Sequence, residues 1–550
     1  MSSEEGNDGI FAPLRQATFR NLWLSSTVSN TGSLIQGVGA AWAMASISTP
    51  DHVALVQTAT FLPVALLALP AGALADIYDR RKVQIASLSL ALVCGVLMTL
   101  ASLLGFITPW VLLAFCFLVG GAGALSAPAR GASVGEQVPK NLLPQAVGLN
   151  NISYNLARSV GPALGGLIVA AFGATMAFAC NAFSYLPMLF SLHRWKRVGE
   201  VSRLPPESMT RSISSGLQYI VNMQPVRSTL MRAFVTCFLG GALHSLMPLI
   251  ARDLLGGDAK TFGLLLGFFG VGAVSGIFVL QPLRTRLGNE YTIRACSLVL
   301  SVALLVLSLS RSLWLDFVVL MAAGAAWMVA TTTCSVAIQL AVPRWVMGRA
   351  IATSSASTSL GISIGAWLWG VITRDHGLSI ALQLASAALL LSPLLGYVFG
   401  VSNRNASTEL DESRLADPEV KLGISGRSGP ISIEVQYRVP PENARGFYHL
   451  MRQVQRVRTR NGAYDWSLSR NIGAPEQWSE RFRCPTWDDY LRQRYRRTLE
   501  DSALHAQAHA MHVGEEPIKV LRWLDRPSGS VRWREDAPDH GDDTLRIQGH

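Results

Sequence analysis

A charged side chain stands where charge is expensive. Arg158 falls inside an apolar stretch running from about 142 to 171. At 1.5 Å per helical residue it lies roughly 18 Å beyond the inner end of that stretch, too deep to reach water easily. Asn150, Asn151, Tyr154 and Asn155 occupy the two turns before it, which predicts a polar wall around one cation. Such a wall suits an anionic or polyhydroxylated ligand; the competing reading is a structural arginine bonded to carbonyls. Asn30, Gln36, Gln57, Asn181, His244 and Gln339 are further polar residues inside apolar stretches. Gln36 and His244 are candidate ligand contacts, although each alone also works as interhelical glue. His244 could in addition titrate near neutral pH. No Asp or Glu falls in the central part of any apolar stretch, and Asp316 beside Trp314 reads as an interfacial anchor.

A second cluster occupies a loop, Gly72-Ala73-Leu74-Ala75-Asp76-Ile77-Tyr78-Asp79-Arg80-Arg81-Lys82. Gly72 permits close helix approach, Asp76 can complement a neighbouring helix N-terminus, and Arg80 and Arg81 can pair with it across the gap. The cluster reads either as a latch or as a positive loop that only fixes topology. In the Arg158 stretch, Ala157, Gly161 and Gly165 share one face at intervals of four, and Pro162 frees a backbone carbonyl. These residues serve conformational change or packing alone.

The elements that must position these residues follow from composition. The chain has 550 residues, half of them hydrophobic, with a mean hydropathy of +0.30. Residues 402–550 hold 23 of the 47 basic and 22 of the 36 acidic side chains, leaving 24 and 14 in residues 1–401 and a net +10 there. A pI near 9.5 would normally raise nucleic acid as a partner, but here the charge sits in short clusters between apolar runs, the pattern of membrane topology. A bilayer core of about 30 Å needs roughly 20 apolar residues per helix. Runs of that length predict spans near 20–47, 52–75, 82–105, 109–129, 142–171, 174–193, 231–251, 260–282, 291–310, 313–337, 346–373 and 378–400. With the N-terminus inside, the inner segments carry 19 Lys+Arg and the outer ones only Arg252, Lys260, Arg311 and Arg374. Both termini are therefore expected in the cytoplasm, in a multi-pass protein of the cytoplasmic membrane.

A shift of 204 positions lays Val138-Pro139 on Val342-Pro343, Gly161 on Gly365, Gly166 on Gly370, Gly173 on Gly377 and Gly120 on Gly324. The expected organisation is a cytoplasmic N-terminus (1–19), a six-helix bundle (20–193), a central loop (194–230), a second six-helix bundle (231–401), a linker (402–429), a small domain (430–526) and a disordered tail (527–550). Two parallel six-helix halves around a central site are a transporter design.

The 72–82 segment resembles the motif after the second helix in the major facilitator superfamily, and the 148–166 stretch is similar to the fifth-helix motif of its exporters. Tyr78-Asp79 stands where many members have a residue followed by glycine; that variant resembles the secretion-effector branch, which includes enterobactin exporters and macrolide efflux pumps. The resemblance implies alternating access and proton antiport. The fourth span departs from many superfamily antiporters, since Phe115 to Gly121 holds no arginine.

In the small domain, Ile431, Ile433, Val435, Tyr437 and Val439 alternate with polar residues as a half-buried strand does. A helix after Pro440-Pro441, two strands within 463–484, a second helix marked by Trp487, Leu491, Tyr495 and Leu499, and a strand at 517–524 give βαββαβ. That order is ferredoxin-like and resembles the antibiotic-biosynthesis monooxygenase type, which implies a dimerising or regulatory module. His505, His509 and His512 read as an exposed helix face rather than a metal site.

The fold class expected is an all-α polytopic membrane protein of twelve helices in two six-helix repeats, with a small α+β domain. The function expected is secondary export of a siderophore-, antibiotic- or drug-like compound; the partners expected are that compound, protons, the lipid bilayer and a second copy through the small domain, not nucleic acid. No enzymatic activity, cofactor or metal is expected of the membrane part. The rival readings are a membrane sensor and an exporter-fused monooxygenase, while the missing Gly-x4-Gly-Lys-Ser/Thr loop disfavours an ATP-driven pump.

Overall fold

The computed structural model describes residues 11–195, 216–343, 346–401, 418–495 and 497–525, without the side chains of Asp76, Ile77, Lys140 and Ser159. Two compact units emerge. One holds Met1–Ile213, Ser228–Gln339 and Arg349–Asn403; the other holds Ser214–Arg227, Leu340–Gly348 and Arg404–His550.

The first unit is helical: α1 (Ala17–Ile47), α2 (Pro50–Ile77), α3 (Arg80–Leu103), α4 (Pro109–Ser133), α5 (Leu143–Phe172), α6 (Ala174–Arg194), α7 (Gln224–Leu249), α8 (Ala259–Leu309), α9 (Leu313–Ala341), α10 (Met347–His376) and α11 (Leu378–Leu391). Among the described residues ten helices are long and apolar enough to cross a membrane. One of them, α8, has 51 residues and turns at Gly288, whose φ of 77° breaks the helical path. The sequence predicts two separate spans there; the structure joins them without a loop, and each arm is still long enough to cross. Counting α8 twice and adding the less apolar 31-residue α1 gives the twelve spans expected.

Local chemistry sets the helix ends. Asp79 accepts hydrogen bonds from the N–H groups of Arg81 (2.8 Å) and Lys82 (3.2 Å) and so caps α3. The α5–α6 and α10–α11 junctions are made by Gly173 (φ 80°) and Gly377 (φ 89°), a left-handed geometry that glycine adopts without strain. These two residues are 204 apart, so the sequence repeat is also a conformational one.

Packing repeats in the same way. Gly120 of α4 lies on the backbone of α2 at Thr60, and its counterpart Gly324 of α9 lies on α8 at Phe269. Gly161 of α5 abuts Leu34 of α1, and Gly365 of α10 abuts Phe238 of α7. Close backbone approach replaces a water-driven core here, because lipid is as apolar as the side chains themselves. Met44, Leu246, Met247 and Leu265 are nonetheless fully buried at the centre.

The end of the helical unit at the α1–α2 loop is its distal face, and the end at the α2–α3 loop is its proximal face.

The second unit contains a four-stranded antiparallel sheet, β1 (Ile431–Arg438), β2 (Tyr464–Arg470), β3 (Gln477–Cys484) and β4 (Lys519–Leu524), in the order β2-β3-β1-β4. Its helices are α12 (Ala444–Arg460), α13 (Trp487–Tyr495) and α14 (Leu499–Ala510). Alternation along β1 buries Ile431, Ile433, Val435 and Tyr437 against Phe447, Met451 and Val454 of α12. The last strand pairs with the first from Ile431↔Leu524 to Gln436↔Lys519, and Asp525 closes the edge: its N–H donates to the Pro430 carbonyl at 2.9 Å and its carboxylate meets Arg483 at 3.1 Å.

One expectation changes in this unit. Trp487 to Leu499 is not one helix, because Thr498 starts a new one through a reciprocal capping box with Asp501. Residues 527–550, and much of the central loop and linker, lie outside the described residues.

Candidate functional site

Asn151, Tyr154, Asn155 and Arg158 recur at positions i, i+3, i+4 and i+7 of α5, which places them on one face. Asn155 Nδ2 donates to the Asn151 carbonyl at 2.9 Å and so stays aligned with the helix. Arg158 is close enough to His244 and Cys237 of α7 to act on both electrostatically.

His244 meets two rings edge-on, Phe269 of α8 and Trp327 of α9, each with centroids 4.8 Å away. Gly240, one turn earlier, leaves room for the Trp327 ring. Phe234 and Phe238 stack at 6.0 Å on the same helix, and Trp369 Nε1 of α10 donates to the Phe238 carbonyl at 3.0 Å. The first half thus carries a polar, cationic face on α5, and the second an aromatic cluster on α7 to α10 in which Phe269 and Trp327 are buried and Phe234 and Phe238 half-buried. The first can hold an anionic or hydroxyl-bearing group, the second a planar apolar body or a cation.

Tyr154 also lines a recess of about 180 Å³ within the first half, together with Trp23, Asn30, Gln84, Arg130 and Asn150. Arg130 Nη1 reaches Asn30 Oδ1 at 3.5 Å. Sequence reasoning counted Arg130 only among the topology-setting charges, because it stands at the end of a span. Gln36 serves differently from its expected role: it is buried, and its amide oxygen accepts from Asn181, which also donates to Tyr185 at 3.2 Å. That chain fastens α1 to α6.

The arginines of the loop cluster pair with neighbouring helices. Arg80 Nη1 binds Glu136 at 2.9 Å and the Ala132 carbonyl at 3.0 Å, tying the start of α3 to the end of α4. Arg81 caps the last turn of α6 through the carbonyls of Leu192 (2.7 Å) and His193 (2.8 Å). The side chain of Asp76 lies outside the described residues. A Cβ at Gly72 would meet nothing within 4 Å, so close approach is not what that glycine provides here. Gly161 and Gly165 do pack tightly, on Leu34 and on Ile35 and Val38 of α1. Pro162 offers its carbonyl toward Gly263. The second half has a proximal cluster of its own that sequence reading missed. Glu290 accepts from Arg294 (2.8 Å), Arg232 (3.4 Å) and the Val401 N–H (3.0 Å), while Arg232 reaches the Ser392 carbonyl at 2.7 Å.

Among the described residues, the hydrogen bonds and ion pairs that join the two halves lie toward the distal face. Arg374 of α10 meets Asp51 of α2 at 3.4 Å, Thr58 donates to the Ser363 carbonyl at 2.8 Å, and Arg252 donates to the Ala45 carbonyl. Gly166 of α5 faces Gly263 of α8 backbone to backbone, and Trp42 stacks with Phe262 at 6.2 Å. Asp316 stands in the first turn of α9, where the sequence suggests an interfacial anchor. It is 1% exposed, and neither carboxyl oxygen has a hydrogen-bond partner among the described residues.

In the tail, Glu480 is fully buried on β3 and serves four donor atoms: Arg458 Nε (3.1 Å) and Nη2 (3.4 Å), Trp466 Nε1 (3.0 Å) and Tyr437 Oη (3.4 Å). Desolvation opposes the charge of Arg458, yet Glu480 holds its pKa above the ordinary arginine value. His505 is buried rather than exposed, and burial, with Arg458 and Arg497 beside it, keeps it well below the usual histidine range. His509 is exposed at the edge, while His512 accepts from the Arg438 N–H at 2.9 Å. The three histidines therefore do not converge.

Comparison with known proteins bears on both units. A family model described as transmembrane secretion effector matches residues 8–528. The staphyloferrin A transporter of Staphylococcus aureus is 26% identical over 51% of this chain and 71% of its own length. Macrolide efflux protein A of Streptococcus pyogenes is 21% identical over 46% of this chain and 66% of its own length. Among solved structures, a bacterial homolog of the lysosomal transporter Spinster, in an inward-facing form, superposes with a TM-score of 0.54 over 70% of this chain and 95% of that one, at 15% identity. That likeness is one of fold.

Proposed function

The chain belongs to the transmembrane secretion effector family of major facilitator transporters, and from that membership we propose that it exports a small amphipathic compound by alternating access, driven by the proton gradient. The observation that carries the reading is Arg158 on α5, within electrostatic reach of His244 on α7 of the other half, with aromatic rings around that histidine. An amphipathic ligand suits that pairing, its anionic or hydroxyl groups on the asparagines and Arg158, its apolar body on the half-buried Phe234 and Phe238 of α7. A siderophore-, antibiotic- or drug-like compound has this chemistry, and the names of the relatives, a siderophore transporter and a macrolide efflux protein, point the same way.

The protein is integral to a membrane, and the proposal places it in the cytoplasmic one with both termini inside, on the excess of 19 inner over four outer basic residues. The distal face is then extracellular, and its joined ends leave the central site to be reached from the cytoplasm. Proton coupling draws support from Asp316, a carboxyl group buried near the outer end of a span. The tail extends the proposal to pairing of two chains, through the sheet face that presents Ser432, Glu434, Arg481 and Arg483.

The test is uptake of a labelled catecholate siderophore, a macrolide and a cationic dye into inside-out vesicles, with and without an imposed proton gradient. Gradient-dependent accumulation is expected for the wild type and a loss of about tenfold or more for Arg158→Ala, the effect of removing one charge-assisted contact. Accumulation that ignores the gradient would sink the proton reading, and no accumulation of any compound would sink export of this substrate class.

A further inference from the structure

The connector between α6 and α7 joins the two six-helix halves covalently, and its described part, from residue 216, belongs to the same compact unit as the tail. It enters that unit with its apolar side inward: Tyr219, Ile220 and Val226 are each at most 2% exposed, and Met223 is buried beside them. A flexible linker would instead be polar and solvated.

The partner surface is the end of α12. Gln218 Nε2 donates to the Thr459 carbonyl at 3.1 Å, adding a side-chain donor to a carbonyl that already accepts from the Gly462 N–H at 3.2 Å at the helix end. The Arg460 guanidinium lies 5.3 Å over the ring of Tyr219, in cation–π geometry. Arg460 is itself fixed, since Asp501 holds its Nη2 at 2.5 Å and Asp501 belongs to the capping box that starts α14. Asn461 adds a bond to the other Asp501 oxygen at 3.4 Å. Burial pushes the Tyr219 hydroxyl up to about 12, with Arg460 opposing and Asp501 and Glu500 adding to the rise.

Two residues before Arg460 on the same last turn, Arg458 grips Glu480 in the interior of the sheet domain. One helical turn thus carries both the buried ion pair of the domain and its hold on the connector. Anything that repositions Glu480, Trp466 or Tyr437 must act on the Arg458 side of that turn, and the Arg460 side is where Tyr219 sits.

We propose that the tail is a clamp on the connector, through which the state of the sheet domain sets the rate at which the two halves exchange conformations. This deepens the transport reading and rests on it. The partner of the surface formed by Thr459, Arg460 and Asp501 is the segment 216–226 of the same chain. Alternating access requires the halves to move relative to one another, and a held connector restrains that motion while a released one does not.

The test uses the full-length protein in proteoliposomes. Gln218→Cys combined with Thr459→Cys, bridged by a short reducible bis-methanethiosulfonate, locks the clamp; each single variant treated alike controls for the native thiols. Tyr219→Leu releases it, keeping apolar bulk and leaving Arg460 on Asp501. The bridge should slow turnover by about tenfold with KM unchanged, and reductant should restore it. Release should change turnover by about threefold or more in a protein whose tail resists protease as the wild type does. Wild-type turnover in both the bridged and the released protein would overturn the clamp.

If the wild type moves no compound, the transport reading fails by itself. The clamp is then judged by hydrogen exchange in α5: a change over 143–158 on bridging is the expected result, and an unchanged pattern overturns it.

Discussion

Two seams join the halves, and they are counterparts that differ. Gly166 on α5 and Gly370 on α10 are repeat mates, and each brings a span of one half against a span of the other, Gly166 onto Gly263 of α8 and Gly370 onto Ala54 and Asp51 of α2. Around Gly166 the contact is bare backbone. Around Gly370 it carries the Arg374–Asp51 pair and the hydrogen bond from Thr58 to the Ser363 carbonyl. The shared part is steric and the added part is polar, which teaches that closing the distal face is first a matter of how near two backbones can come. Polar groups then tune one seam and not the other.

The largest effect should come from filling the bare seam. Gly166→Leu forces a side chain into a backbone contact and should cost about 1–3 kcal/mol of closure, shifting the balance toward open distal ends by roughly tenfold or more. Distances between spin labels on the distal ends of α5 and α8 would report it, and an unchanged distribution would refute the steric account. The tail supplies a contrast, because there burial acts on a titrating group instead of a backbone. Since the folded pKa of His505 lies below its ordinary 6.5, the unfolded chain takes up the proton first. Stability is then complete above about pH 6.5 and falls below it by up to about 1.4 kcal/mol per pH unit. Proteolysis of the tail in the full-length protein at pH 7.5 and 5.5 should show this, and His505→Gln should flatten it.

Thr58→Val should weaken the polar seam by about 1 kcal/mol, one partly buried hydrogen bond, read as a modest increase in distal opening by the same labels. Asp51→Asn should do least, less than about a twofold change in opening, since Arg374 is half exposed and already holds Asp375 at 2.9 Å. A large effect of Asp51→Asn together with a silent Gly166→Leu would invert the comparison and make the ion pair the true closure.

The repeat explains how much was readable in advance. Gly173 and Gly377 stood out in sequence as repeat mates, and the structure gives the reason: each takes a positive φ at a helix junction, which few other residues tolerate. The α5 face was legible too, since Asn151, Tyr154, Asn155 and Arg158 are conspicuous in an apolar stretch. What stayed hidden was partnership across elements. Glu136, Glu290 and Trp327 look ordinary where they stand, and only folding sets them beside Arg80, Arg232 and His244. Asp316 was placed near a span end by its position beside Trp314, but that neighbouring helices bury it was not legible. In the tail, the alternation of β1 predicted the strand and its inward face, but a helix break at Thr498 depends on one hydroxyl and one carboxylate meeting three residues apart.

The pairing of the last strand with the first bears on how this chain can be cut or labelled. Because β4 zips onto β1 and Asp525 locks the junction, a reporter or affinity handle fused after Asp525 leaves the sheet whole. A truncation after α14 would strip β1 of a neighbour along Ile431–Gln436 and bare its N–H and C=O groups, turning an interior strand into an adhesive edge. Loss of export in such a truncated protein would then report aggregation as readily as regulation.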